Sequence, residues 1–171
     1  MIPERNQGQQ RRKADLLSAK VRAGIDEWVA KYPPEHKQSA VMAALRLVQE
    51  EQGHLTNELM DAVADYLEME PITVYEVATF YSMYDLKPVG RHKISVCTNI
   101  SCMLCGGYET LAYLEKKLNV KPGGTTADRR FMLKEVECLA ACAGAPMFMV
   151  DKTFYENLTP EKIDAILAEY E

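Results

Sequence analysis

All five cysteines of this chain fall between positions 97 and 142, in two groups. The first group is Cys97, Cys102 and Cys105, and the second is Cys138 and Cys142. Thiolates at such short spacings bind zinc, act as a redox dithiol, hold an iron–sulfur cluster or form disulfides. The chain begins without the apolar segment of a secretion signal, so we expect a reducing, cytoplasmic setting, where metal or redox chemistry is favoured over structural disulfides.

The spacings fit these chemistries unequally. Zinc sites favour a Cys-x2-Cys pair in each half, and only Cys102 with Cys105 has that spacing. The same pair could be a thioredoxin-type dithiol, since it precedes a predicted helix whose N-terminus would lower a thiol pKa, but three cysteines would then have no role. A 2Fe-2S cluster needs two sulfurs on each iron, and one cysteine loop per iron supplies them.

A second arrangement within the cluster interpretation starts from Cys97, Cys102 and Cys105, whose spacing is that of the plant-type ferredoxins. It would leave one of Cys138 and Cys142 without a role, and it expects a strand-rich fold. We therefore favour Cys97, Cys102, Cys138 and Cys142 as the ligands and Cys105 as a free thiol. The zinc and dithiol interpretations remain alternatives at this point.

The first half of the chain has a helical pattern. Residues 1–13 are polar and aperiodic, and they predict a flexible tail. Apolar residues then recur at three- and four-residue steps in four segments. They are Leu17, Val21, Ile25, Trp28 and Tyr32; Val41, Ala44, Leu45 and Val48; Leu59, Val63, Tyr66 and Leu67; and Val77, Phe80, Tyr81 and Tyr84.

Breaks and caps separate these four predicted helices. The first is expected to end at Pro33 and the second at Gly53, while Thr56 is the predicted N-cap of the third. The fourth is predicted to begin with a capping box formed by Thr73 and Glu76. Its aromatic residues are interpreted as core, or as a surface for a partner protein.

The pattern changes after Gly90. Segment 92–97 alternates as a strand does, Gly106 and Gly107 open a helix, and strands are predicted over 131–136, 147–150 and 153–155. Thr159 and Pro160 begin a last helix. This β-α-β-β-β-α order predicts a thioredoxin-like core. Both cysteine groups follow predicted strands, so we expect them to meet in loops at one edge of the sheet.

The predicted fold class is therefore α+β, with an N-terminal four-helix unit over residues 14–88 and a thioredoxin-like 2Fe-2S domain over residues 89–171. The 171-residue chain has a net charge of −5 with scattered basic residues, which argues against nucleic-acid binding. It has no apolar run long enough for membrane insertion. It also has no Gly-x-Gly-x-x-Gly motif, so we expect no nucleotide site.

Several motifs in combination resemble a known family. The spacings Cys97-x4-Cys102 and Cys138-x3-Cys142, with EVATFYS at 76–82 and APM at 145–147, resemble the thioredoxin-like 2Fe-2S subunit of respiratory NADH:quinone oxidoreductase, complex I. The resemblance extends from about residue 21 to residue 161. It implies four cysteine ligands, at positions 97, 102, 138 and 142, and a 2Fe-2S cofactor. Cys105 is a departure from the family pattern.

The same resemblance implies a function and partners. The chain would transfer electrons beside a flavoprotein subunit that binds FMN and NADH, together with a large iron–sulfur subunit, without an NADH or flavin site of its own. It would be cytoplasmic and peripheral to the membrane through the assembled complex. NAD-reducing hydrogenases and NAD-dependent formate dehydrogenases use similar subunits and are alternative hosts. Pro146, which precedes a predicted apolar strand, resembles the cis-proline of thioredoxin-like folds, so we expect a cis peptide there. His36, His54 and His92 lie outside the cysteine loops, and we expect them not to be ligands.

Overall fold

The computed structural model describes residues 13–170, which divide after Pro88 into a helical unit and an α/β unit. Apart from Lys13, the tail predicted over residues 1–13 lies outside the described residues. The α-helices of the first unit are α1 (Ala19–Val29), α2 (Val41–Gln52), α3 (Asn57–Leu67) and α4 (Pro71–Phe80), and a 3₁₀ helix over Pro34–Ala40 precedes α2.

Two of the predicted helix boundaries are confirmed, the start of α3 and the end of α2. The hydroxyl of Thr56 accepts a hydrogen bond from the backbone N–H of Leu59 at 3.3 Å and caps α3. Gly53 ends α2 in the left-handed conformation, with a φ of 82°. The helical periodicity then places one apolar stripe of each helix in a shared core, which includes Val21, Ile25, Leu45, Val48 and Val63.

Three expectations for this unit are wrong. Helix α1 is shorter than the predicted helix, whose apolar residues run from Leu17 to Tyr32. Ser18 caps α1 after Leu17, and the helix ends at Val29. The capping box at Thr73 is not formed, since Pro71 already occupies the first position of α4 and the Thr73 hydroxyl donates to the Glu70 carbonyl. Phe80 is 80% exposed and lies outside the core.

The α/β unit contains a mixed four-stranded sheet. Its elements are β1 (His92–Cys97), α5 (Ile100–Leu104), α6 (Gly107–Leu118), β2 (Phe131–Val136), β3 (Phe148–Val150), β4 (Thr153–Tyr155) and α7 (Pro160–Glu169), with a 3₁₀ turn over Cys142–Gly144. The strand order is β2-β1-β3-β4, in which β1 and β2 are parallel and the other pairs are antiparallel. The predicted α+β class is confirmed, and the short helix α5 is an addition to the predicted order.

The central strand β1 pairs with β2 on one side and with β3 on the other. Ile94 pairs with Leu133 of β2 and with Val150 of β3, and all three are fully buried. Helices α6 and α7 cover this core with Leu114 and Ile163. The four residues from Ile94 to Cys97 are all buried, which is typical of a strand covered on both faces. Among the described residues, no helix combines the length and apolar character that crossing a membrane requires.

Replacing Thr159 with alanine is expected to lower the free energy of unfolding by about 1 kcal/mol. The Thr159 hydroxyl accepts a hydrogen bond from the backbone N–H of Lys162 at 3.3 Å and satisfies a donor at the start of α7. Urea unfolding followed by circular dichroism measures the loss. Thr159→Ser keeps the hydroxyl and is the matched control, so an equal loss in both variants would contradict a capping role.

Candidate iron–sulfur site

Strands β1 and β2 deliver the two cysteine groups to the same edge of the sheet. Cys97 is the last residue of β1 and pairs with Val136, the last residue of β2. Cys138 follows two residues later, and the two strands run in the same direction. The thiol of Cys97 lies 4.0 Å from the carbonyl oxygen of Glu137, the residue next to Cys138. The sheet therefore brings the starts of both cysteine loops together.

Helix α5 positions Cys102. Asn99 begins this short helix, and its side-chain oxygen accepts a hydrogen bond from the Ile100 N–H at 2.7 Å. Cys102 lies on the inner face and is 1% exposed, whereas Ile100 and Leu104 point outward and are 67% and 77% exposed. The first cysteine group was predicted to lie in a loop after the strand, whereas Cys102 belongs to the short helix that Asn99 caps.

The thiols of Cys97 and Cys102 lie in contact in a small buried cluster with Met147. Burial raises the pKa of the Cys102 thiol to about 11, and its hydrogen bond with Cys97 and the nearby charges of Cys97 and Cys142 act in the same direction. A backbone hydrogen bond involving Met147 acts against this rise. Leu139 and Ala141 of the second cysteine loop pack against this cluster, so the two loops lie side by side.

The second loop is held in an unusual backbone conformation. Its thiols, Cys138 and Cys142, are exposed, and the Ala140 N–H lies 3.3 Å from the Cys138 sulfur as a hydrogen-bond donor. Ala140 has a φ of +57°, a left-handed conformation that costs a residue with a Cβ about 1–2 kcal/mol. The Ala145–Pro146 peptide bond is cis, as predicted.

The segment after β4 supports the end of this loop. The Asn157 N–H donates to the carbonyl of Gly144 at 2.7 Å, and the Leu158 N–H donates to the carbonyl of Pro146 at 3.1 Å. Leu139, Ala141 and Ala145 complete the contact by packing against the buried cysteine cluster. The loop is thus fixed from two sides.

The chemistry of the donor set fits an iron–sulfur cluster. Every cysteine of the chain is a free thiol, and thiolate sulfur is the usual protein ligand of such clusters. The structure brings Cys97 and Cys102 together, with Cys142 close enough to interact, and it places Cys138 at the same sheet edge. Within residues 13–170, no group of three or more His, Cys, Asp or Glu side chains has the arrangement that would hold a single metal ion.

The remaining candidates lie elsewhere. Cys105 is exposed at the C-cap of α5. His92 lies at the first residue of β1, at the far end of the strand from Cys97, with its Nδ1 2.8 Å from the Asp151 carboxylate. His36 and His54 belong to the helical unit.

Sequence reasoning missed the role of Gly107. Its α-carbon packs so closely against the carbonyl groups of Cys97 and Cys102 that a side chain has no room. The signal that could have found it is the pair Gly106 and Gly107 directly after the first cysteine group, because a helix cap needs only one glycine.

This sheet with two cysteine loops at one edge belongs to a recognised class of small iron–sulfur proteins. Residues 25–171 match the family model described as thioredoxin-like [2Fe-2S] ferredoxin, and the chain belongs to that family. The predicted family and its 2Fe-2S cofactor are therefore confirmed, and the zinc and dithiol alternatives lose their support.

Curated relatives described as E-type subunits of NADH-quinone oxidoreductase match most of the chain. The chain is 41% identical over 150 residues to the second such subunit of Rhizobium meliloti (strain 1021), covering 88% of both chains. It is 43% identical over 143 residues to the corresponding subunit of Rickettsia bellii (strain RML369-C), covering 83% of this chain and 86% of the relative.

A solved structure shares the fold. A chain of an NAD⁺-reducing [NiFe]-hydrogenase in the air-oxidized state superposes on 73% of this chain with a TM-score of 0.64 and 19% identity. This chain spans 22% of the length of that hydrogenase chain. At such an identity the likeness shows a common fold.

Proposed function

We propose that this chain is the 2Fe-2S electron-transfer subunit of an NADH-quinone oxidoreductase, and that Cys97, Cys102, Cys138 and Cys142 hold its cluster. The observation that carries the proposal is the meeting of the buried Cys97–Cys102 pair with the second cysteine loop at one sheet edge. It occurs in a chain that is 41–43% identical to the E-type subunits of that oxidoreductase over most of both lengths.

The bound cluster would accept and release one electron at a time. Cys97 and Cys102 would hold one iron from the buried side, and Cys138 and Cys142 would hold the other from the exposed loop. The Ala140 N–H that donates to the Cys138 sulfur would withdraw charge from that ligand and favour the reduced state. The fixed loop would limit rearrangement of the ligands when the charge changes.

Exposed apolar side chains support a role inside a larger assembly. In the α/β unit, Ile100, Leu104 and Tyr108 are more than half exposed beside the first cysteine group. In the helical unit, Ile72 and Phe80 are 62% and 80% exposed. Exposed apolar side chains that cluster mark interaction surfaces. The partners that we propose are the flavoprotein subunit with FMN and NADH and the large iron–sulfur subunit.

The remaining proposals follow from this role. The two units would act as the helical domain, residues 14–88, and the 2Fe-2S domain, residues 89–171. The complex would place the chain on the cytoplasmic side, peripheral to the membrane. The hydrogenase likeness makes an NAD-reducing hydrogenase the alternative host, but a 19% identity against 41–43% favours the oxidoreductase.

Two measurements test the proposal. The purified chain should contain about two irons and two acid-labile sulfides and show the EPR signal of a reduced 2Fe-2S cluster after dithionite treatment. An affinity-tagged chain, isolated from its own cells, should bring with it a flavoprotein that carries FMN. A preparation that binds zinc or no metal would contradict the cluster, and copurification with hydrogenase subunits would contradict the proposed host. Untagged cells give the background.

A further inference from the structure

We infer that Gly107 is a positioning residue that sets the spacing between the two buried cysteines, Cys97 and Cys102, and thereby tunes the bound cluster. The inference rests on the proposed ligand set. It concerns the backbone of α6, an element that supplies no ligand of its own. Its basis is the space around one α-carbon.

That space is closed by the backbone of both cysteines. A methyl carbon on Gly107 would lie 2.9 Å from the carbonyl carbon and oxygen of Cys102 and 3.0 Å from the carbonyl oxygen of Cys97. Favourable contacts between carbon atoms are about 3.5–4.0 Å. Both carbonyl groups are therefore within about 3 Å of one point, and the missing side chain lets the two cysteine residues come together there.

The need for glycine here is one of space. The neighbouring Gly106 has a φ of +95°, which by itself favours glycine. Gly107 is the first residue of α6 and is not among the positive-φ residues, so an alanine could adopt its backbone angles. The atoms that an alanine would meet are main-chain atoms, which cannot rotate away as a side chain can.

A methyl group on Gly107 would displace one of the two cysteines more easily than the other. Cys97 ends the central strand, where it pairs with Val136 and its N–H donates to the carbonyl of Met147 at 3.4 Å. Cys102 lies in the five-residue helix α5. An added methyl group would therefore displace α5, carry the Cys102 sulfur away from Cys97, and change the separation of two ligands on one iron.

The test compares Gly107→Ala with Gly90→Ala in the full-length protein. A methyl group at Gly90 would also meet main-chain atoms, at 2.7 Å from Phe131 and 2.8 Å from Met132, but at the opposite end of β1 and β2. Visible circular dichroism, EPR and a redox titration report on the cluster. Urea unfolding reports on the stability of each variant.

Gly107→Ala is expected to shift the visible and EPR spectra and the midpoint potential, and to release iron faster than the wild-type protein. Gly90→Ala should lower stability and keep the wild-type spectra and potential. Wild-type spectra and potential in Gly107→Ala would overturn the inference, as would an equal shift in Gly90→Ala. A wild-type protein without a cluster would instead contradict the proposed function.

A second variant covers the case in which Gly107→Ala does not fold. Asn99→Gly removes the side-chain cap of α5 and lets this helix yield to the added methyl group. The double variant Asn99→Gly/Gly107→Ala should then fold, and its cluster spectra should differ from those of Asn99→Gly alone. Identical spectra of the single and double variants would also overturn the inference.

Discussion

Replacing Cys97 with alanine is expected to abolish the EPR signal of the reduced 2Fe-2S cluster in the assembled complex. Cys97 is 3% exposed, contacts the Cys102 thiol and ends the central strand, so no other side chain can take its place without moving that strand. Alanine fits the buried position, because it is smaller and apolar. The metal-free variant should therefore keep the far-ultraviolet circular dichroism of a folded chain while its iron content falls.

Cys105→Ser is the matched control for this loss. Cys105 is exposed at the C-cap of α5, and its replacement removes a thiol of the same loop without touching the buried pair. We expect this variant to keep its iron and its EPR signal. An unchanged signal in Cys97→Ala, or a lost signal in Cys105→Ser, would contradict the assigned ligands.

Phe148→Ala should be the most destabilising single substitution in the α/β unit, with a loss of about 3–5 kcal/mol in the free energy of unfolding. Phe148 is the largest of the fully buried side chains and lies between β1 and β4, where it pairs with Val96 and Tyr155. Its removal leaves a cavity in a sheet that cannot close around it. Stabilities of whole domains are about 5–15 kcal/mol, so a large share would be lost.

Urea unfolding of the metal-free protein measures this effect without the contribution of bound iron. Phe154→Ala is the control, since Phe154 lies in the neighbouring strand β4 but is 49% exposed. We expect the control to change the free energy of unfolding by about 0.5 kcal/mol or less. Comparable losses in the two variants would show that the core of this unit is not centred on Phe148.

The elements that the sequence predicted best are those with local signals. Strand β2 has the predicted bounds, 131–136, and Thr159 with Pro160 begins α7 as expected. Helix α4 was harder because its apolar residues are not confined to the face that packs in the core, so its pattern does not say that Phe80 faces outward. Pro71 also outcompetes Thr73 for the start of this helix, since proline fixes the backbone there.

At the site, cysteine spacing predicted the cluster class, but the arrangement of the thiols depends on tertiary structure. The five residues of α5 are too few to show a helical period, and Asn99 was their only local signal. The closeness of Cys97 to Cys102 and the lack of room at Gly107 result from packing between α6, β1 and α5. Packing contacts of this kind leave no periodic trace in the sequence.

The register of β1 links the protein core to its redox chemistry. Along this strand, alternate side chains point to opposite faces of the sheet, so Ile94 and Val96 share one face and Cys97 points to the other. Inserting or deleting one residue would reverse these faces and send the sulfur to the side that now holds Ile94. The length of β1 between His92 and Cys97 is therefore set by hydrophobic packing and, if Cys97 is a cluster ligand as proposed, by metal coordination as well.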